Sequence, residues 1–297
     1  MNATAPSTAV APEPAATPDA STRRSPVVAL FRHEWRRTRT LLAAIGAIGG
    51  LMVLASSALA ALDLPIVSAA GLLIGLLVTT SLVPVVQLAL AVEYWLSSHH
   101  RGGYFTHSLP IRGTTIYAVK LTWMLLVSLA ALLATLVLAA VLWVGFALPA
   151  GADPNPFGVA SDLVLQATTV MSPSMLVAVA VTVALLYIIW PAHFLFAAAV
   201  GSESPLNRLG AGGPVIVYIG LYVVLQVVVM IGMFALPIGV GVTDAGQLGL
   251  VQFSLVDAFE GGSDSIMPIG FLPALLLVTL ACVWRTARSW RRKITIV

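Results

Sequence analysis

The sequence predicts an all-α polytopic integral membrane protein with six transmembrane helices, both termini cytoplasmic, and an N-terminal amphipathic interfacial helix. Three observations carry that prediction. The chain of 297 residues is 59% hydrophobic and only 9% charged, against about 25% charged in a soluble domain. Its apolar residues gather into six long stretches. All 15 Lys and Arg residues lie before, after or between alternate stretches: Arg23 to Arg39, then Arg101, Arg112 and Lys120, then Arg208, then Arg285 to Lys293. Basic residues mark the cytoplasmic side, so an even number of spans with both ends inside follows.

Residues 1–24 are rich in Ala, Pro, Ser and Thr without apolar periodicity, which predicts a disordered cytoplasmic tail. Over 25–40, Ser25 and Pro26 suit a helix start. Val27, Val28, Phe31 and Trp35 then recur on one face while Arg32, His33, Arg36 and Arg37 take the other, the pattern of a helix lying in the membrane plane. The spans are expected at about 41–61, 66–96, 116–148, 173–200, 214–241 and 267–285, within a six-helix domain of residues 41–285. A basic cytoplasmic tail, 286–297, completes the chain. Pro84, Pro191 and Pro237 predict kinks in the second, fourth and fifth spans.

The external segments carry Asp63, Asp153, Asp162, Asp244, Asp257, Glu260 and Asp264 without a basic partner. Of these segments, 149–172 opens on a turn-rich Pro and Gly cluster. Residues 242–266 contain an apolar run from Leu248 to Phe259 that is too short to span and reads as a re-entrant or interfacial helix.

Chemistry-bearing motifs are sparse. There is no phosphate-binding Gly-Lys-Ser/Thr loop, zinc-protease motif, nucleophile elbow or dinucleotide fingerprint, so no nucleotide site or catalytic centre is expected on this chain. The net charge of +3 is accounted for by basic residues beside spans, meeting lipid headgroups rather than nucleic acid. His99, His100 and His107 share one loop, but adjacent side chains point apart and no Cys or Asp completes a metal shell. The lone Cys282 excludes an intramolecular disulfide. Glu93 is the one acid near a span interior, placed to pair with Arg101, Arg112 or His193. Gln87, Gln226, Tyr187, Tyr218 and Tyr222 are the intramembrane polar groups, expected to bond between helices, with Gln87, Gln226 and Tyr222 as candidates for a substrate path.

The most informative segment joins the long second and third spans. Gly102 and Gly103 interrupt the second span, 104–109 suits a short helix, and Pro110 ends it before Arg112 and Gly113. An element so presented, at 97–114, can dock on a cytosolic partner and pass its motion to the membrane. Here the chain resembles the membrane subunits of type-2 ABC exporters, whose loop between the second and third spans carries an acidic residue, Arg and Gly, a Leu-Pro-Ile or Leu-Pro-Val, basic residues and a Lys entering the next helix. Glu93, Arg101, Gly103, Leu109, Pro110, Ile111, Arg112 and Lys120 match that order, and the resemblance extends over about 25–293.

The resemblance implies a permease in the cell membrane that couples through Arg101, Gly103, Leu109, Pro110, Ile111 and Arg112 to a cytosolic ABC ATPase chain. ATP and Mg would be bound by that partner, with no cofactor on this chain. It implies a second permease, identical or sister, and an apolar path for hydrophobic or amphipathic drugs, peptides or lipids. The alternatives from other classes are an intramembrane enzyme built on Glu93 and His193, and a non-transporting sensor or assembly factor.

Overall fold

The computed structural model describes residues 25–62, 64–100, 103, 106, 108, 110–253 and 266–292. Seven helices dominate it: α1 Pro26–Ala60, α2 Pro65–Ser98, α3 Gly113–Ala150, α4 Pro156–Val170, α5 Pro173–Gly201, α6 Gly212–Ala235 and α7 Phe271–Arg292. All but α4 are long and apolar enough to cross a membrane, the architecture of a multi-pass membrane protein. Proline sets several helix starts, because its fixed φ suits the first turn and its missing N–H is not needed there. Pro26, Pro65, Pro156 and Pro173 all open helices. Asn155 and Ser172 add side-chain caps, accepting from the Phe157 and Met175 amides.

Helices α1, α2 and α3 pack on one another as one group, and α5, α6 and α7 as a second. Contacts of α2 and α3 with α5, and of α3 with α7, join the groups. The core at that junction includes Leu90, Tyr94, Tyr117, Met124, Leu195 and Trp290. Lys and Arg side chains stand at one end of the bundle, where α1 and α3 begin and α2 and α7 end. Asp153 and Asp244 belong to the opposite end.

Three boundaries differ from the sequence expectation. The anticipated in-plane helix and first span are one continuous helix over 35 residues. No Pro or Gly lies between Pro26 and Gly46 to break it, and its charged residues are good helix formers. The fifth span ends at Ala235 rather than 241, because Pro237 cannot continue it and residues 238–242 pair as a strand. The sixth begins at Phe271. Helices α2 and α5 continue through Pro84 and Pro191.

The all-α expectation holds for the bundle but misses a small sheet at its acidic end. β1 (Ile238–Val242) pairs antiparallel with β2 (Leu248–Gln252) in the register Val240 to Leu250, and with β3 (Met267–Pro268) on its other edge. The expected re-entrant helix over 248–259 is therefore corrected for 248–252, which is a strand; 254–259 lies outside the described residues. A short apolar run suits either state. Here Gly246, at φ +73°, supplies the left-handed residue that a tight turn between β1 and β2 requires. The Ser172 amide donates to the Leu248 carbonyl at 2.8 Å, tying the sheet to the start of α5. The turn-rich 149–172 segment contains α4, none of whose side chains is buried.

Candidate functional site

The basic end of the bundle holds a set of charges and aromatic rings around the segment that joins α2 to α3. Lys120, on the third turn of α3, is 6% exposed and its Nζ lies 2.6 Å from Glu34 Oε1 of α1. Both charges are withdrawn from solvent, so the pair needs further hydrogen bonds to offset desolvation. Lys120 gains one by donating to Ser97 Oγ of α2 at 3.0 Å. One ammonium thus joins the first three helices. Thr106, in the connecting segment, donates to the Ser97 carbonyl at 2.8 Å, bringing that segment onto the same frame.

A second pair lies alongside. Arg37 Nε donates to Glu93 Oε2 at 3.1 Å, and Arg37 Nη2 to the Glu93 carbonyl. Among the described residues Glu93 therefore pairs with Arg37, not with Arg112 or His193 as its sequence position suggested; Arg101 lies outside the described residues. Arg37 and Glu93 are brought together by the crossing of α1 and α2, and His193 instead meets Thr279 at 3.2 Å between Nε2 and Oγ1. The acid–histidine pair of the enzyme alternative is not formed. Among the described residues no group of three His, Cys, Asp or Glu side chains could hold a metal.

The far end of α7 closes this face. Trp290 Nε1 donates to Tyr94 Oη at 2.9 Å, and both rings pack edge-on to His99. Trp95 packs against His100 and donates to Ser202 Oγ. Arg285 grips Glu203 with two hydrogen bonds, 3.0 and 2.7 Å, and Ser289 donates to the same carboxylate at 2.6 Å. A bidentate guanidinium–carboxylate pair fixes orientation as well as distance, so the 202–211 connection is tied to α7.

Of the predicted coupling residues, Gly103 is buried and helical, with its amide donating to the His100 carbonyl at 2.7 Å. Pro110 and Arg112 are exposed, and Ile111 is packed against the core. Arg101 and Leu109, like His107, lie outside the described residues. Beside Ile111 a groove of about 220 Å³ opens between Pro26, Ala29 and Leu30 of α1 and Ile116 of α3, with Glu34 and Lys120 also lining it.

Within the spans, Gln226 and Tyr222 line one cavity of about 190 Å³ between α5, α6 and α7, together with His193 and Tyr218. Gln87 does not line it; that side chain is 2% exposed within α2. Sequence reasoning missed Glu34, Arg37, Glu203 and Trp290 as site residues. The available signal was that Glu34 is the single acid in an otherwise basic helical segment, and Glu203 the single acid in its connection. Compared with family models, curated proteins and solved structures, the chain finds no match.

Proposed function

We propose that this chain is the permease subunit of an ATP-driven exporter of the type-2 ABC class, sited in the cell membrane with its basic end and both termini in the cytoplasm. A separate ATPase chain binds and hydrolyses ATP with Mg. A second permease, identical or sister, completes the translocation path. The reading rests on the sequence resemblance through 93–120, and one structural observation supports it best. The segment joining α2 to α3 sits on a frame that reaches both helix groups: Thr106 to Ser97, Ser97 to Lys120, Lys120 to Glu34, and Tyr94 to Trp290. Force applied at exposed Pro110 and Arg112 would reach α1, α2, α3 and α7 without bending an individual helix, as rigid-body coupling demands.

Affinity capture of the full chain from its native membrane tests this. A nucleotide-binding ATPase is expected in stoichiometric amount, and Arg112→Glu with Pro110→Ala should reduce its recovery at least about tenfold. That corresponds to a loss of about 1.4 kcal/mol of interface energy, within the range for one central contact. Capture of the folded chain with no ATPase, or undiminished capture by the double variant, overturns respectively the exporter assignment or the coupling segment.

A further inference from the structure

The α5–α7 cavity has a polar side that the packing of this chain leaves incomplete. The Thr279 hydroxyl donates its single proton to the Leu275 carbonyl at 2.9 Å, so toward His193 Nε2, at 3.2 Å, its oxygen acts as acceptor. Assigned from that network, the neutral ring carries its proton on Nε2 and presents a lone pair at Nδ1. Among the described residues nothing donates to Nδ1. His193 is 1% exposed, lines the cavity, and so has little bulk solvent to bond with.

On the opposite wall, Tyr218, Tyr222 and Gln226 recur every four residues along α6 and form one stripe. Gln226 lies near the middle of a 24-residue apolar helix, and its amide has no hydrogen-bond partner among the described residues. An amide left so in hydrocarbon is costly. The remaining lining is apolar, including Leu186, Ile189 and Leu225, and no Asp, Glu, Lys or Arg contributes to it.

We infer that this cavity is a binding site for an uncharged, largely apolar molecule carrying a hydroxyl, which donates to His193 Nδ1 while its body lies against the α6 stripe. Absence of formal charge in the lining disfavours ions, whose desolvation nothing here would offset. A volume of about 190 Å³ exceeds the roughly 150 Å³ of an apolar cavity that holds benzene, which suits a two-ring or branched ligand. The apolar groups provide affinity and the imidazole selects the hydroxyl. Calling such a ligand the exported substrate rests on the proposed function; the site itself does not.

Photolabelling of the full chain in lipid nanodiscs with 4-hydroxybenzophenone, against benzophenone as the probe lacking the hydroxyl, tests the inference. Adducts are expected on α5 and α6 peptides bounding the cavity, about five- to tenfold more with the hydroxylated probe, the value of one neutral hydrogen bond. His193→Phe should remove that preference. Leu186→Trp alters a lipid-exposed rim position without touching the hydrogen bonds, and should suppress both probes; it carries the test if His193→Phe does not fold. Equal labelling by the two probes, labelling unchanged by Leu186→Trp, or no adduct on α5 and α6 overturns the inference. Because no ATPase is needed, failure here and failure of the exporter assignment are separate results.

Discussion

The two helix groups are held together in different ways. In α1–α3, small residues let backbones touch at one end of the group, where α1 and α3 finish and α2 begins. A Cβ on Gly71 would lie 2.8 Å from the Ala60 nitrogen and the Ser56 oxygen, and one on Gly145 would strike the Ser57 carbonyl and hydroxyl. Ser57 also donates to the Val141 carbonyl of α3 at 2.8 Å. In α5–α7 such approaches occur at both ends, Gly213 against Gly201 and Gly232 against Phe271 and Gly270. Between those two pins lies the cavity bounded by Tyr218 to Val229 of α6. Lipid gives apolar side chains no net drive to associate, so packing and hydrogen bonds decide which helices stay together. The first group is thus pinned by backbone contact at its acidic end and by buried charge at its basic end, where its groove opens, and the second keeps its cavity within the spans, between two backbone contacts.

The charge frame of the first group should be its most sensitive point. Lys120→Met leaves Glu34 buried without its partner, and loss of one member of such a pair costs about 3–5 kcal/mol. Thermal unfolding in detergent is expected to show the largest fall of any single change considered. The double variant Glu34→Leu with Lys120→Met should recover most of it, because the apolar replacement has no charge to desolvate. A double variant as unstable as Lys120→Met alone would mean that the ammonium acts through Ser97 rather than through Glu34.

Next in size is Gly145→Val. Its side chain would need the α1 backbone at Ser57 to move, and overpacking of this kind costs about 1–3 kcal/mol. The same unfolding assay should register it, along with loss of a single monodisperse species. Wild-type stability after this change would show that α1 and α3 can part as easily as α5 and α6, and the contrast between the groups would fail.

The spans were legible in the sequence because length and hydropathy are local properties, and the basic clustering identified one end of the bundle. Pro26 at a helix start was legible for the same reason, whereas Pro156, inside a turn-rich cluster, was not. Partner choice was not. Glu93 had several basic groups or His193 within plausible sequence reach, and selection of Arg37 depends on how α1 crosses α2. Gln226 and Tyr222 could be grouped because a four-residue spacing places them on one helix face; Gln87 could not be separated from them without knowing which helices bound the cavity. The 248–252 strand was not legible since a run as short as Leu-Gly-Leu-Val-Gln has no diagnostic period, and its hydrogen-bonding partners, β1 and Ser172, lie elsewhere in the chain.

The smallest expected effect sharpens the comparison most. Gly220 lies on α6 between the two pins, and a Cβ there would meet nothing within 4 Å. Gly220→Val should therefore change stability by no more than about 0.5 kcal/mol, the range for a position without packed neighbours. Valine also carries little penalty on a lipid-facing helix surface, where added apolar area is solvated by acyl chains. Measured beside Gly145→Val, it compares one residue type and one replacement in the two groups. A cost similar to that of Gly145→Val would not come from the described residues, since none has an atom within 4 Å of a Cβ at this position beyond the helix's own backbone. It would require this face of α6 to be covered by another molecule, and cross-linking through cysteines placed at Ile216 and Val223, both at least half exposed on α6, would then identify whether that molecule is a second copy.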